Sequence, residues 1–296
     1  MIAPVFQSIR DLTDAPTPIR APLVLNPLMA KLAEKAGFEA VYLGGGGLGY
    51  QKVFLEANLS LTDVAQAGLE ISSATSLPIV ADVACGWGDP MHVYRSVKLL
   101  EASGFAAMEL EDQLFPKRAH HHVGKDHAIA PEEMEAKIRA AVQARRDPAF
   151  LIIARTDAAR RGKVDEALQR CEGYRAAGAD VLLPAPGFTD PEVIAAMAER
   201  LGPPLMFLTP PGGLSEVGMT LEELHAVGFR IVVDAFTLHM LVYEVLKSGY
   251  DELANNGFAI RPDRTQADWY ALVDDMHRVI DLETLLEIER NTVEHD

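Results

Sequence analysis

The chain has 296 residues, and its 27 Lys and Arg against 43 Asp and Glu give a formal net charge of −16. Protonating all nine histidines would still leave the chain at −7, which excludes nucleic acid and anionic membranes as general partners. A hydrophobic content of 49% and a charged content of 24% exclude intrinsic disorder. They indicate a globular fold with one large core or two smaller ones.

The chain has two cysteines, Cys85 and Cys171, and neither lies in a CxxC motif. This usage excludes a disulfide-rich scaffold and is typical of a reduced cytoplasmic setting. The N-terminus has no basic region followed by an apolar stretch, and no run of 18 apolar residues occurs. We therefore expect a cytoplasmic protein with neither a signal peptide nor a membrane span.

Eight short, nearly continuously apolar segments recur along the chain, with helical patterns between them. Strands that are buried on both faces, as in a parallel sheet covered by helices, have this composition. The predicted strands are Pro22–Leu25, Ala40–Leu43, Pro78–Asp82, Ala106–Glu111, Phe150–Arg155, Val181–Leu183, Pro204–Leu208 and Ile231–Asp234.

The segments between the strands carry helix signals. Pro90 and Pro131 occupy positions where a helix tolerates proline in its first turn. Predicted helix ends with a glycine stop lie at Gly37, Gly104, Gly178 and Gly228. Eight β–α steps in this length predict an α/β fold of the (β/α)₈ TIM-barrel type. A doubly wound open sheet is the alternative, but no GxGxxG follows the first predicted strand.

Beyond the eighth predicted unit, residues 261–296 form an acidic, amphipathic helical tail. Its apolar positions are Trp269, Leu272, Met276, Val279, Ile280 and Leu286. An additional helix with an apolar stripe must cover apolar surface, either on its own barrel or on a neighbouring subunit. We therefore divide the chain into a barrel domain, residues 1–260, and a tail, residues 261–296, that packs on a neighbouring subunit.

Barrel enzymes carry their active groups at the C-terminal ends of the strands. The second predicted strand contains Tyr42 and is followed by four glycines. Among them, Gly44, Gly45 and Gly46 leave backbone N–H groups open for a carboxylate or a phosphate. A flexible turn without a ligand is an equally good interpretation of the glycine run.

Carboxylates end the third and fourth predicted strands, at Asp82 and Glu111. Two buried carboxylates from adjacent strands suit a hard divalent cation such as Mg²⁺, because they are costly unless they are paired or bind a metal. Pairing with Arg118 or Arg155 is the alternative. Arg155 ends the fifth strand, where it could clamp a substrate carboxylate or form a structural salt bridge to Asp82 or Glu111.

A long polar segment, residues 115–127, follows the fourth strand and contains Lys117 and the run His120–His122. Such a loop can close over an anionic substrate and exclude water. Neighbouring histidines on an extended chain point in alternating directions, which disfavours zinc binding by this run. The two cysteines lack histidine partners at a useful spacing, so both are interpreted as buried thiols.

These residues resemble the isocitrate lyase/phosphoenolpyruvate mutase superfamily over most of the chain, from about Ala21 to Gly249. The most specific pieces are Glu111–Arg118 (EDQLFPKR), Ile153–Ala158 (IARTDA) and Ala177–Asp180 (AGAD). The resemblance implies a (β/α)₈ barrel, Mg²⁺ or Mn²⁺, and small 2-oxo or 2-hydroxy di- and tricarboxylic acids as substrates. It also implies a homotetramer in which a C-terminal helix is exchanged between subunits.

The chain departs from the family pattern at several positions. Asn58 stands where an aspartate is usual, and Ala84 replaces the second aspartate of the motif after the third strand. Ala119 replaces the loop cysteine that is thought to act as acid or base in the family's lyases. Gly44 stands where a serine is usual, and Ala185 lies near the place of a usual glutamate.

The resemblance and the retained residues together assign a candidate site. Asp82 and Glu111 are the expected metal ligands. The expected substrate-binding residues are Tyr42, Gly44, Gly45, Gly46, Asn58 and Arg155, and the expected catalytic residues are Arg155, Lys117, His120 and His121. Because Ala119 replaces the cysteine, we expect a loop histidine to transfer the proton. Binding of a substrate carboxylate, or a solvated loop without a role, is the alternative for these histidines.

The sequence therefore predicts a Mg²⁺-dependent carbon–carbon lyase or decarboxylase that acts on a small 2-oxo or 2-hydroxy acid through an enolate. Phosphorus–carbon chemistry on a phosphonopyruvate-like acid, by a mutase or hydrolase, is one alternative, in which Lys117, Arg118 and the histidines would bind the phosphorus group. A barrel that binds a metabolite without turnover is the other, since Ala84, Ala119 and Ala185 are what a loss of catalysis would leave.

Overall fold

The computed structural model describes residues 8–125, 127–185, 190–261 and 263–293. The chain divides into two compact units, one that ends at His239 and one that begins at Met240. The sequence pattern had placed the boundary later, at residue 260. All the strands of the described residues lie in the first unit, which is the barrel.

The strands are β1 Ile19–Pro22, β2 Val41–Leu43, β3 Ile79–Asp82, β4 Ala107–Glu111, β5 Leu151–Thr156, β6 Val181–Pro184, β7 Leu205–Leu208 and β8 Phe229–Asp234. Within the described residues they form one parallel sheet in the order β1-β8-β7-β6-β5-β4-β3-β2. A parallel bridge between Leu23 and Tyr42 joins the two ends of this order. The prediction of a (β/α)₈ TIM-type barrel is confirmed.

The predicted first strand, Pro22–Leu25, was wrong, because β1 precedes it and meets it only at Pro22. Arg20 interrupts the apolar pattern of β1 in the sequence, and its guanidinium is paired with Glu39. Residues 23–25 remain extended but leave the ladder after the bridge at Leu23. The other seven predicted strands agree with the structure to within two residues at each end.

The helices of the described residues are α1 Ile9–Leu12, α2 Pro27–Lys35, α3 Gly45–Gln51, α4 Leu61–Ser72, α5 Pro90–Ala102, α6 Pro131–Ala144, α7 Val164–Ala176, α8 Pro191–Leu201, α9 Leu221–Val227, α10 Thr237–Asn255, α11 Gln266–Val279 and α12 Leu282–Thr292. Pro90 and Pro131 begin α5 and α6, as predicted. The four predicted glycine stops all have positive φ, between 81° and 118°. Among the residues described, no helix is both long and apolar enough to cross a membrane.

The second unit contains most of α10 together with α11 and α12. The helical character predicted for the tail is confirmed. Val279 is buried, whereas Trp269, Leu272, Met276 and Ile280 expose 37%, 43%, 58% and 58% of their surface. In α10 the exposed apolar side chains include Met240, Leu241, Tyr243, Val245, Leu246 and Tyr250. This unit therefore carries a large apolar surface.

Candidate active site

The C-terminal ends of the strands surround a cavity of about 230 Å³. Its lining residues are Tyr42, Gly44, Gly46, Gly47, Tyr50, Glu56, Asp82, His121, Arg155, Arg160, Leu208, Ala235 and Phe236. A larger cavity of about 500 Å³ lies among residues that precede β3, β4 and β5, such as Pro78, Ala106 and Phe150. The smaller cavity is the candidate active site, because it lies at the catalytic end of a (β/α)₈ barrel and gathers the ionisable side chains.

Arg155, near the end of β5, lies in a buried ion-pair network. Its Nε donates to Oδ1 of Asp157 at 2.8 Å and its Nη2 donates to Oδ2 at 3.2 Å. Its Nη1 donates to Oε1 of Glu109 at 2.7 Å. Burial opposes ionisation of Asp157, but Arg155 and Arg160 outweigh it and hold the pKa of Asp157 well below its usual range. Arg155 therefore makes with Asp157 the pair of hydrogen bonds that was expected with a substrate carboxylate.

Glu109 and Glu111 lie on the same side of β4, as strand alternation requires, and both are fully buried. Oε2 of Glu109 accepts a hydrogen bond from the Tyr42 hydroxyl at 2.9 Å. Burial raises the pKa of Glu109 to about 7, against the attraction of Arg155. Burial also raises the pKa of Tyr42 well above its usual value, so the hydroxyl stays protonated and remains a donor.

Replacing Glu109 with glutamine should remove a pH dependence from the stability of the fold. The pKa of this carboxyl rises from 4.5 to about 7 on folding, so between these values the folded state binds more protons than the unfolded state. Its contribution to stability is therefore full below about pH 4.5 and is lost as the pH rises through 7. In urea denaturation without divalent ions, the wild type should lose about 2 to 3 kcal/mol relative to Glu109→Gln between pH 5 and pH 8. A stability difference that does not change with pH would contradict this prediction.

Lys117, from the segment after β4, is buried with its ammonium group among carboxylates. Its Nζ donates to Oε2 of Glu111 at 2.7 Å and to Oε1 of Glu56 at 2.8 Å. Burial disfavours the charged form, but the charges of Glu111, Glu56 and Asp82 outweigh it and raise the pKa of Lys117. Lys117, which the sequence predicted as catalytic, is thus held by two carboxylates and stays positively charged, so it does not act as a base.

Asp82, the last residue of β3, is held by backbone N–H groups. Gly45 donates to its Oδ2 at 3.1 Å and Ala84 donates to its Oδ1 at 2.9 Å. Burial and the negative charge of Glu56 raise the pKa of Asp82. In the described part of the chain, no cationic side chain forms an ion pair with this carboxylate. Asp82 is therefore oriented by the backbone and remains available to a cation.

The glycine run is helical rather than the flexible turn that was one interpretation of it. Residues 45–51 form α3, although glycine is a poor helix former. A Cβ at Gly45 would lie 2.7 Å from Cγ of Glu56, so the absence of a side chain lets α3 approach the segment that carries this glutamate. Gly44 and Gly46 line the cavity, whereas Gly45 does not and donates its N–H to Asp82, so substrate binding by these glycines stays a prediction.

The two candidate loop histidines lie in the same 3₁₀ helix but in different surroundings. His121 lines the cavity, and its Nδ1 lies 2.9 Å from Nε2 of Gln113. His120 is exposed and does not line the cavity, and its ring centroid lies 5.8 Å from that of His127. The side chain of His122 lies outside the described part of the chain. The structure therefore places His121, and not His120, beside the candidate site.

Glu111, His121 and Asp157 bring ligand atoms within 4.8 Å of one another, so one metal ion could contact all three. These groups already have protein partners, however. Nε2 of Gln113 donates to Oε1 of Glu111 at 2.7 Å and also contacts His121, and two arginines hold Asp157. Any metal ion at this cluster would have to displace these partners or share the ligands with them.

The donor set around the cavity fits Mg²⁺. The carboxyl groups are those of Glu56, Asp82, Glu109, Glu111 and Asp157, and the cationic groups are those of Lys117, Arg155 and Arg160. Among the described side chains of this network, carboxyl groups thus outnumber cationic groups by five to three, and buried carboxylate oxygens are the ligands that a hard divalent ion prefers. Asp82 and Glu111 remain the predicted ligands, and Glu56 joins them because its charge acts directly on Asp82.

Glu56 is a site residue that the sequence interpretation missed. The interpretation chose Asn58, which lies two residues later, is exposed and does not line the cavity. The 3₁₀ helix that contains both residues buries Glu56 instead. Glu56 could have been found from the sequence, because it is the only acidic residue between Gly49 and Asp63. Arg160 was also missed, and it gave no signal beyond its place after β5.

Comparisons with known proteins agree with this geometry. A family model described as phosphoenolpyruvate phosphomutase matches residues 9–254. The chain is 31% identical over 277 residues to a probable 2-methylisocitrate lyase of Corynebacterium glutamicum, covering 93% of this chain and 87% of that protein. It is 35% identical over 247 residues to an oxaloacetate decarboxylase of Pseudomonas paraeruginosa, covering 83% of each. A solved structure of phosphonopyruvate hydrolase with oxalate and Mg²⁺ superposes with a TM-score of 0.83 at 26% identity, covering 97% of this chain and 98% of that chain.

Proposed function

Because the chain belongs to the phosphoenolpyruvate mutase/isocitrate lyase superfamily, we propose that it is a Mg²⁺-dependent lyase of small 2-oxo or 2-hydroxy carboxylic acids. Its relatives are named as lyases and decarboxylases, and the chain is an enzyme of this carbon–carbon lyase type. Mn²⁺ is the alternative metal ion. Cleavage next to a carbonyl group and loss of a carboxyl group are related reactions, because both leave an enolate.

The observation that carries this proposal is the excess of buried carboxylates around a cavity that must admit an acid. Glu56, Asp82 and Glu111 would repel an anionic substrate unless a cation lay between them and it. These three carboxylates would hold the metal ion. When bound, Mg²⁺ would supply a Lewis acid that neutralises the charge of the enolate oxygen. The surplus of negative charge therefore supports metal-dependent chemistry on a carboxylic acid.

The protein's own groups can bind and orient the substrate. The N–H groups of Gly46 and Gly47 lie in the first turn of α3, where helical N–H groups have no partner within the helix. We place the substrate carboxylate there, beside the carboxylates that would hold the metal ion. Leu208 and Phe236 form an apolar part of the cavity wall and exclude water from the reacting bond.

His121 is the group that we assign to proton transfer, because it lines the cavity and Ala119 leaves the loop without a cysteine. Replacing His121 with alanine should lower kcat by about 10²-fold, as expected for a general acid or base. His120→Ala is the matched control, since it removes the same side chain one residue earlier, away from the cavity. Steady-state kinetics that give both variants the same kcat would contradict the assignment.

The proposal is tested by a panel of 2-oxo and 2-hydroxy acids, with and without Mg²⁺ or Mn²⁺, followed by NMR. We expect at least one acid to be split at a carbon–carbon bond only when metal is present. Turnover of phosphonopyruvate alone would favour phosphorus–carbon chemistry. Binding of acids without any turnover would favour a barrel that only binds a metabolite.

The charge of the cavity supports carbon–carbon over phosphorus–carbon chemistry. A phosphonate group brings more negative charge than a carboxylate and needs more cationic partners. Lys117 and Arg155 are already paired with buried carboxylates, and Arg118 is exposed and is not a lining residue. Among the described residues, Arg160 remains as an open cationic partner at the cavity, so a phosphonate would find fewer partners here than the sequence alone suggested.

We also propose that residues 261–296, in the second unit, are an assembly element of a homotetramer. Their exposed apolar side chains, such as Met276 and Ile280, would be covered by a neighbouring subunit. A chain truncated after Ile260 should therefore have a lower mass in solution than the full chain at the same concentration, as measured by light scattering. If the truncated chain kept its original oligomeric state, residues 261–296 would not be the assembly element.

A further inference from the structure

Two guanidinium groups of the described residues line the cavity, and they differ in what they can offer a ligand. Arg155 is 5% exposed and uses Nε, Nη1 and Nη2 on Asp157 and Glu109. The side chain of Arg160 is 44% exposed, and its Nη1 donates to Oδ2 of Asp157 at 2.9 Å. A substrate group could engage Arg155 only by displacing a buried partner, whereas the nearly half-exposed side chain of Arg160 lines the cavity and contacts Asp157 through Nη1.

Arg160 is also held in position by the rest of the site. It lies on the 3₁₀ helix Ala158–Arg161, directly after β5. Arg155 and Arg160 both donate to the same oxygen, Oδ2 of Asp157, which places their guanidinium groups side by side. Asp157 itself is buried, so it anchors both arginines from the protein interior. A side chain that is anchored in advance loses less conformational entropy when a ligand binds.

The lysine near the cavity and the apolar wall do not offer an equivalent contact, and His121 is assigned to proton transfer. Lys117 is enclosed by Glu56 and Glu111. The wall at the ends of β7 and β8 is apolar, with Leu208 and Phe236. Among the described lining residues, Arg160 is therefore the guanidinium that is open to a second anionic group of a ligand.

We propose that Arg160 is a specificity-determining residue that binds the distal carboxylate of a dicarboxylic 2-oxo or 2-hydroxy acid. The inference rests on the proposed function, in which the first carboxylate lies at α3 near the metal-binding carboxylates. A guanidinium binds a carboxylate through two parallel hydrogen bonds. Loss of Arg160 should therefore weaken the binding of acids that carry a distal carboxylate, and leave the binding of monocarboxylic acids of the same length unaffected.

The test is calorimetric titration of the full chain in the presence of Mg²⁺ with three probes. Oxalate probes the end of the cavity near the metal-binding carboxylates, 2-oxoglutarate adds a distal carboxylate, and 2-oxopentanoate has a methyl group in place of that carboxylate. Arg160→Gln should lower the affinity for 2-oxoglutarate by at least about tenfold and leave the affinities for the other two probes unchanged. Arg200→Gln is the matched control, because the Arg200 side chain is also 44% exposed and pairs with one carboxylate, that of Glu172, away from the cavity.

The outcomes separate this inference from the proposed function. Equal affinity of 2-oxoglutarate for the wild type and Arg160→Gln, with oxalate bound by both, would overturn the inference alone. If Arg160→Gln bound none of the three probes, Arg160 would have a structural role, and the inference would also be overturned. If the wild type bound none of the probes, the proposed function would be contradicted and the inference with it. Turnover kinetics supply a second readout, because Arg160→Gln should raise KM for a dicarboxylic substrate far more than it lowers kcat.

Discussion

Replacing Asp82 with asparagine should lower the metal-dependent turnover on the order of 10³-fold, because it removes the carboxylate that the backbone holds open to the metal ion. The amide keeps the shape of the side chain, and it can still accept one of the two backbone hydrogen bonds that orient Asp82. Mg²⁺ affinity should fall in Asp82→Asn and in Glu111→Gln, and calorimetry measures both.

The control for this prediction is Asp14→Asn, which removes the same charge from an exposed residue outside the cavity. It should bind Mg²⁺ as the wild type does. Unchanged Mg²⁺ affinity in both Asp82→Asn and Glu111→Gln would show that the metal ion, if one binds, is held elsewhere.

Removing the guanidinium of Arg155 should destabilise the fold by about 3 to 5 kcal/mol at pH 7, the usual cost of leaving a buried charge without its partner. Arg155→Met leaves Glu109 and Asp157 buried without their main cation. The loss should be smaller at pH 5, because the two carboxyl groups can then take up protons in the folded state. Urea denaturation at both pH values measures the effect.

Arg200→Gln is again the control, since it breaks a half-exposed ion pair with Glu172. Exposed pairs of this kind contribute little, so the free energy of unfolding should change far less than in Arg155→Met. If Arg155→Met cost as little as Arg200→Gln, the network around Arg155 would not be the stabilising element that its geometry indicates.

The barrel could be predicted from the sequence because its signals are local and repeat. Each buried strand needs a short apolar run, and the turns that precede the strands need residues such as Gly104 and Gly178 that adopt positive φ. A prediction that rests on eight such repeats tolerates an error in one of them. The first strand was misplaced because Arg20 broke the apolar pattern, yet the architecture did not change.

The candidate site was predictable only in part, because ion pairing is decided in three dimensions. Strand ends placed Asp82, Glu111 and Arg155 near one another, but spacing could not show that Arg155 grips Asp157 or that Lys117 pairs with Glu111. The sequence therefore could not decide whether Arg155 binds a substrate carboxylate or forms a structural salt bridge.

Irregular segments were the hardest to interpret, since no periodicity fixes which side chain turns inward. The short 3₁₀ helix before α4 buries Glu56 and exposes Asn58. The glycine run was not predicted to be a helix, because the close approach of α3 to Glu56 that requires Gly45 is a long-range contact. Both errors arose where tertiary packing, rather than local preference, decides the structure.

The central claim is that this chain forms an enolate from a 2-oxo acid with the help of a metal ion. The most direct measurement is ¹H NMR of the C3 protons of pyruvate and 2-oxobutanoate in D₂O, where each enolate that forms can return with deuterium. Wild-type protein with Mg²⁺ should exchange these protons faster than buffer with the same Mg²⁺, and Asp82→Asn should exchange them no faster than buffer. A wild-type rate equal to that of buffer for both acids, under conditions where oxalate binds, would contradict the claim.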